Sequence, residues 1–161
     1  MSAQPQAAAP NLGMQVTTFE NPMGIDGFEF VEFAAPEPAL LHDLFRRMGF
    51  TAVLRHRTRP ITVYRQNRVN FLVNEDPDSF AADFVAKHGP SACGFAIRFR
   101  KPADEVCSGV LERGGELIAH KADSKAVDAP VIKGIGDCML YLVDRYGERG
   151  SIYDTDYEPI P

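Results

Sequence analysis

Apolar and polar residues alternate along the first structured part of the chain in a way that predicts a strand, a helix and three further strands. GFEFVEFAAP, from Gly27 to Pro36, is rich in the aromatic and β-branched residues that favour a strand. In PEPALLHDLFRRMG, which follows, the apolar residues recur at helical spacing, and Gly49 offers a C-terminal stop. Short strand-like runs come next, at about 50–57, 60–66 and 69–74.

The same order recurs later in the chain. CGFAIRFRKP predicts a strand, residues 104–113 predict a helix, and strands follow near 115–119, 130–134 and 138–144. Gly27 precedes Pro36 by nine residues and Gly94 precedes Pro102 by eight, while thirteen residues separate each of these prolines from the next stop glycine. The matching order indicates an internal repeat.

Each repeat reads β-α-β-β-β, and one such module is too small to close a core alone. We therefore predict an α+β fold in which paired βαβββ modules form an open, barrel-like sheet with a concave inner face. The expected organisation is a flexible N-terminal tail, one domain and a linker-like C-terminus. The predicted bounds are 1–23 for the tail, 24–154 for the domain, about 27–74 and 92–144 for its modules, about 79–88 for a connecting helix capped by Ser79, and 155–161 for the C-terminus.

Composition excludes several classes of function. Apolar residues make up 45% and charged residues 24% of the 161 positions, as in globular proteins. The net charge of −5 and the lack of a basic stripe argue against a nucleic-acid partner, and no apolar run is long enough to cross a membrane. We read Cys93, Cys107 and Cys138 as reduced thiols, because their number is odd and none forms a C-x-x-C pair, and we expect a cytoplasmic protein.

GIGDCMLYLVDRYG, residues 134–147, looks at first like a phosphate-binding loop. However, Gly134 and Gly136 lack the third glycine of a dinucleotide fingerprint, and no helix follows to hold a pyrophosphate. We interpret these glycines as a turn before a strand.

The histidines do not form a local metal pair. No two of them have the i, i+2 or i, i+4 spacing that would place two imidazoles on one metal ion. We expect solvated or helix-capping roles for all four, which are His42, His56, His88 and His120.

Carboxylates on the first strand are better candidates for chemistry. Because successive strand residues point to opposite faces, one of Glu29 and Glu32 should point into the concavity, as a general base, as a ligand or as the partner of an arginine such as Arg98. RHRTRP, residues 55–60, is either an anion-binding hairpin or a solvated sheet edge, and the latter is the more common use of such charges.

Three segments carry a resemblance to a known family. NPMGIDGFEFVEFAAP, GPSACGFAIRFRKPADEV and IKGIGDCMLYLVDRYG together resemble the N-terminal half of bacterial 4-hydroxyphenylpyruvate dioxygenases, in the vicinal oxygen chelate superfamily. The resemblance extends from about Asn21 to Pro161, and hydroxymandelate synthases share this half. It implies that the intact protein converts 4-hydroxyphenylpyruvate and O₂ to homogentisate and CO₂ in tyrosine catabolism, with Fe(II) held by two histidines and a glutamate of the C-terminal half.

The resemblance implies a structural role for this chain. Phe30, Phe95 and Tyr141 stand at the positions equivalent to the metal ligands, so we expect no catalytic residue, no metal ligand and no cofactor here. The expected partner is the catalytic C-terminal half, and a homo-oligomer is compatible with the resemblance. The alternatives are a one-domain enzyme of the chelate fold, and a module that binds a small aromatic molecule in its concavity.

Overall fold

A computed structural model of the protein describes residues 19–119 and 125–161, which form one mixed eight-stranded sheet with three α-helices packed on its outer face. The strands are β1 (Ile25–Ala34), β2 (Thr51–His56), β3 (Ile61–Gln66), β4 (Val69–Asn74), β5 (Ser91–Phe99), β6 (Val131–Lys133), β7 (Met139–Val143) and β8 (Tyr157–Pro159). The helices are α1 (Pro38–Arg47), α2 (Phe80–His88) and α3 (Ala103–Glu112). Of the predicted N-terminal tail, residues 1–18 lie outside the described residues.

The order of the strands shows how the two repeats pair. In the sheet the order is β6-β7-β5-β1-β4-β3-β2-β8. β1 runs parallel to β4 within the first repeat, β5 runs parallel to β7 within the second, and β1 and β5 meet antiparallel at the centre. Each repeat is thus wound in the same way about its own first strand. This arrangement confirms the predicted fold of paired modules forming an open sheet.

The second repeat is shorter than its sequence predicts. Instead of a strand at 115–119, Leu117 forms an isolated bridge with Ile132. Two backbone bonds flank the bridge, from Ile118 N–H to the Val131 carbonyl (2.8 Å) and from Lys133 N–H to the Glu116 carbonyl (3.2 Å). The predicted strand is therefore right in position and too long, since only Leu117 pairs with β6 in this segment.

The ends of the connecting helix follow from two residues. The Ser79 hydroxyl accepts a hydrogen bond from Ala82 N–H at 3.2 Å, which satisfies a free donor of the first turn of α2, as predicted for an N-cap. Gly89 ends the helix with φ +75°, a conformation that side chains disfavour.

GIGDCM forms the turn between β6 and β7. Gly134 N–H donates to the Cys138 carbonyl at 2.8 Å, and Gly136 adopts φ +64°. No helix N-terminus follows the glycines, since β7 begins directly at Met139. The prediction that these glycines form a turn is confirmed.

The C-terminal residues belong to the sheet. β8 pairs antiparallel with β2, and the register places Tyr157 opposite His56 and Glu158 opposite Arg55. Tyr157 is 3% exposed, and its hydroxyl donates to the Ala126 carbonyl at 2.7 Å. The prediction of a linker-like segment at 155–161 is therefore wrong for these residues, because an aromatic anchor and an ion-pairing glutamate alternate there as in a strand.

The concave face of the sheet is filled. Segments 125–130 and 151–157 lie across it, and their apolar side chains pack against the inward-facing residues of the strands. The members of this inner cluster include Phe30, Val63, Leu72, Ala96, Val127, Val131, Tyr141, Val143, Ile152, Tyr153 and Tyr157. No helix within the described residues is long and apolar enough to span a bilayer.

Candidate functional site

The position that the resemblance predicts as equivalent to a metal centre lies where β1, β5 and β7 run side by side. Phe30 pairs with Ala96, and Ala96 pairs with Tyr141, so these three residues form one row on the inner face. The rings of Phe30 and Tyr141 lie 5.2 Å apart, and all three residues are at most 1% exposed. The row is packed and offers one hydroxyl and no imidazole or carboxylate.

Phe95 does not belong to this row. Its partners are Val31 and Leu140, which share the outer face of the sheet, and its side chain lines a groove there with Phe84 of α2. The prediction that Phe95 stands at an inward ligand position is wrong by one residue, because strand residues alternate between faces and Ala96 takes the inward place.

Both candidate carboxylates point into the barrel. The β1–β5 register steps from Phe28–Ile97 to Phe30–Ala96, so β1 carries an extra residue, Glu29, in a β-bulge. Glu29 is 6% exposed and Glu32 is 1% exposed. The prediction that only one of them faces inward is therefore wrong, because the bulge resets the alternation between the two positions.

Glu32 is buried near the row of aromatic residues and is bonded on both oxygens. Asn74 Nδ2 donates to Oε1 at 2.7 Å, and the Tyr141 hydroxyl donates to Oε2 at 3.0 Å. Burial raises the pKa of Glu32, and the two hydrogen bonds oppose that rise. Burial also raises the pKa of Tyr141, whose oxygen accepts a bond from Ala126 N–H.

Glu29 is the partner of an arginine, as one reading of the sequence predicts. Arg98 Nε donates to Oε2, while Asn70 Nδ2 contacts the Glu29 carbonyl at 2.9 Å and Oε1 at 3.3 Å. Arg98 also lies over the ring of Tyr146, 5.3 Å from its centroid. With its oxygens engaged in this way, Glu29 is placed to hold strands together rather than to take a proton from a substrate.

The histidines are dispersed. His42 bonds to the Tyr64 hydroxyl (2.8 Å) and to Glu75 (2.9 Å) under α1, and the ring of His88 packs at a tilt against Phe84 at the end of α2. Nδ1 of His56 lies within hydrogen-bonding distance of the Thr58 and Arg59 N–H groups, and burial followed by the Arg59 charge lowers its pKa. His120 lies outside the described residues.

The arginines of RHRTRP, the basic hairpin, form ion pairs with carboxylates of neighbouring segments. Arg55 and Arg57 contact Glu158 of β8 at 2.8 and 3.3 Å, and Arg59 faces Asp76 at 3.6 Å. These contacts tie the hairpin to the C-terminal strand and to the start of the connecting helix. They favour the structural reading of RHRTRP over an anion site.

The cysteines are free thiols. Burial is the main cause that raises the pKa of Cys93, of Cys107 and of Cys138, so each is held as the protonated thiol. None has the thiolate character of a nucleophile or a metal ligand.

The residues do not fit the iron that the fold family implies. Across residues 19–119 and 125–161, no group of three His, Cys, Asp or Glu side chains is placed to hold a metal ion. In addition, Phe30, Ala96 and Tyr141 fill the space where ligands would converge. We therefore derive no chemical step through a metal in this chain.

Comparison with known proteins places the chain in a family. Residues 19–158 match the family model described as hydroxyphenylpyruvate dioxygenase, HPPD, N-terminal. A 4-hydroxyphenylpyruvate dioxygenase of Pseudomonas sp. (strain P.J. 874) is 45% identical over 139 residues, which are 86% of this chain and 39% of that relative. The chain thus spans about two fifths of the length of this curated relative.

Solved structures agree with this assignment. A xylose isomerase-like TIM barrel/4-hydroxyphenylpyruvate dioxygenase fusion protein matches 84% of this chain and 22% of its own, with a TM-score of 0.75 and 30% identity. Methylmalonyl-CoA epimerase from Mycobacterium tuberculosis, at 17% identity and a TM-score of 0.61, shares the glyoxalase-like fold over 81% of this chain and 95% of its own. The chain therefore belongs to the family of hydroxyphenylpyruvate dioxygenase N-terminal domains.

Proposed function

We propose that this chain is the non-catalytic, structural half of a 4-hydroxyphenylpyruvate dioxygenase, and that it stabilises and positions a catalytic C-terminal half. In the intact protein, that other half would hold Fe(II) and convert 4-hydroxyphenylpyruvate and O₂ to homogentisate and CO₂, as a step of tyrosine catabolism in the cytoplasm. The observation that carries the proposal is the packed row of Phe30, Ala96 and Tyr141 at the centre of the barrel.

The chemistry of non-heme iron supports this reading. Such iron is held by imidazole and carboxylate ligands with coordination positions left open for substrate and O₂. In this barrel the two inward carboxylates, Glu29 and Glu32, accept hydrogen bonds instead from Arg98, Asn70, Asn74 and Tyr141. The side chains at the centre provide packing where the catalytic half would need ligands.

The alternatives have less support from the structure. A one-domain enzyme of the chelate fold would need a metal cluster or an unbonded inward base. A module that binds aromatic molecules would need an open apolar concavity, whereas segments 125–130 and 151–157 fill it here. The family match favours the dioxygenase, and descent from a hydroxymandelate synthase stays an alternative prediction.

Oxygen uptake tests the proposal. Incubated with 4-hydroxyphenylpyruvate, Fe(II) and ascorbate, the chain should consume no more O₂ than a protein-free blank. The full-length Pseudomonas sp. relative serves as the positive control, and mixing this chain with the separately expressed C-terminal part of that relative should raise turnover or prolong its activity. Homogentisate formation by this chain alone, abolished by a chelator, would contradict the proposal.

A further inference from the structure

A polar cleft opens at the end of the barrel where β1 begins and β5 ends. Its volume is about 470 Å³, within the range of pockets that take small molecules. We call it the arginine cleft after three of its lining residues, Arg65, Arg68 and Arg98, which stand around Glu29 and Asn70. It lies outside the filled centre of the barrel and belongs to neither the metal-equivalent row nor the basic hairpin.

Positive charge in the arginine cleft exceeds negative charge. Arg98 is matched by Glu29. Among the residues that the structure describes, Arg65 bonds to a side chain only through its Nε, which donates to the neutral Asn70 amide oxygen at 2.7 Å. Arg68, in the turn between β3 and β4, has no ion pair or side-chain hydrogen bond with any residue that the structure describes. Three guanidinium groups therefore face one carboxylate.

Several arginines outside the cleft are matched by carboxylates: Arg55 pairs with Glu158, Arg59 with Asp76 and Arg100 with Asp26. Others donate to backbone carbonyls, namely Arg113, Arg145 and Arg149. The chain as a whole carries a net charge of −5. Uncompensated cations in a concave surface focus the electrostatic potential and attract an anion.

Two tyrosines complete the walls. Tyr146 and Tyr153 both line the arginine cleft. Tyr153 is 5% exposed, and its buried hydroxyl lies near Glu29 but makes no hydrogen bond of good geometry within residues 19–119 and 125–161. A buried donor without an acceptor is uncommon, and a bound oxygen ligand could satisfy it after a small shift of the ring.

We propose that the arginine cleft binds a small organic monocarboxylate. The guanidinium fork matches the two oxygens of a carboxylate, and the tyrosine rings supply an apolar wall for the rest of the ligand. The apolar faces of the tyrosine rings favour an organic carboxylate over inorganic phosphate, which has no apolar part to place against them. The site is independent of the structural role proposed above and involves no bond making or breaking.

Calorimetric titration with benzoate tests the proposal on the full chain at low salt, with benzamide as the neutral isostere. Benzoate should bind saturably and benzamide should not. Arg68→Ala should weaken benzoate binding about tenfold, the effect of losing one hydrogen bond to a charged group. Tyr153→Phe should weaken it several-fold while leaving the thermal midpoint unchanged or higher, since it removes an unsatisfied hydroxyl.

Arg47→Ala is the matched control, because Arg47 is an exposed arginine on α1 whose partner is Asp43. This variant should bind benzoate as the wild type does. The proposal is overturned if the wild type shows no saturable binding, or if Arg68→Ala and Arg47→Ala behave alike. Tighter binding of inorganic phosphate than of benzoate would overturn the assignment to a monocarboxylate.

Discussion

The hydroxyl of Tyr141 lies 3.0 Å from Oε2 of Glu32 and donates a hydrogen bond to it inside the barrel. Glu32 belongs to the first module and Tyr141 to the second, and their exposed fractions are 1% and 0%. Hydrogen bonds to Glu32 come from an amide and a phenol, which are neutral. The bond joins the two modules and holds a carboxyl group where its charge is poorly solvated.

The stability of the protein should depend on the protonation of Glu32. Burial raises the pKa of Glu32 in the folded state, so the folded chain binds this proton more tightly than the unfolded chain does. The contribution of Glu32 to the free energy of unfolding is therefore largest at low pH. It is lost as the pH rises from about 4.3 through the raised pKa of the folded state. Across this pH range, the free energy of unfolding, measured with denaturant, should fall less for Glu32→Gln than for the wild type. Parallel curves of this free energy against pH would contradict the prediction.

The bond between Tyr141 and Glu32 should be measurable on its own. Tyr141→Phe keeps the ring but leaves Glu32 with one fewer donor and the Ala126 N–H without its acceptor, so the free energy of unfolding should fall by about 1–3 kcal/mol at neutral pH. In the Glu32→Gln background the same change should cost less, because the partner is no longer a charge. Equal costs in the two backgrounds would show that the bond does not depend on the carboxylate.

Gly94 makes room for this pair. A β-carbon added at Gly94 would stand 2.7 Å from Glu32 Oε2 and 3.2 Å from Tyr141 Cε2. We expect Gly94→Ala to lower the free energy of unfolding by about 1–3 kcal/mol, as overpacking does in a filled core. Gly109→Ala is the control, since Gly109 lies in α3 and a methyl there meets first the flexible side chain of Met23. That variant should be neutral or more stable. If the two variants had equal stability, the crowding at Gly94 would be disproved.

Arg98 and Glu29 should be energetically coupled. Each single change removes the charged partner of a mostly buried group, with Glu29 at 7% and Arg98 at 26% side-chain exposure. A double-mutant cycle with Glu29→Ala and Arg98→Ala should give a coupling energy of about 1–3 kcal/mol, measured by chemical unfolding. The exposed pair of Arg47 and Asp43 is the reference and should couple by less than about 0.5 kcal/mol. A coupling energy for Glu29 and Arg98 no larger than that of the reference pair would contradict the prediction.

Strand β8 should contribute to stability. A chain ending at Asp156 loses the Tyr157 ring, which is 3% exposed, and the Glu158 partner of Arg55. Burial of such a ring contributes several kcal/mol. The truncated chain should therefore unfold at a clearly lower denaturant concentration, with a free energy of unfolding about 2–4 kcal/mol below that of the wild type. A chain ending at Ile160 keeps the whole strand and the bond from Ile160 N–H to the Val53 carbonyl (3.0 Å), and it should match the wild type. If both truncations behaved alike, β8 would be a dispensable segment.

The chain should not retain iron. After anaerobic incubation with Fe(II) and desalting, we expect far less than one iron per molecule, because Phe30, Ala96 and Tyr141 provide no ligand set. Stoichiometric iron that is lost in Glu29→Gln or Glu32→Gln would show a site among the inward carboxylates. Elemental analysis of the three proteins in parallel decides the matter.

The sequence by itself determined the repeat, the element types and the family. Apolar periodicity depends on neighbours along the chain, so α2 with its Ser79 cap, the turn at Gly134 and the equivalence of β1 and β5 could all be predicted locally. The pairing of Arg98 with Glu29 was also foreseen as one of several choices, because a carboxylate in a barrel needs a donor.

Only the tertiary structure decided which side chains share the inner face. A β-bulge at Glu29 places both Glu29 and Glu32 on the inner face. In β5 the inner position belongs to Ala96 and the outer one to Phe95, since the side-chain period of a strand is two residues. The same holds for β8, whose three residues become a strand through their pairing with β2, about a hundred residues earlier in the chain. The arginine cleft likewise joins residues of β1, β3, β4, β5 and the C-terminal segment, and no local pattern relates positions so far apart.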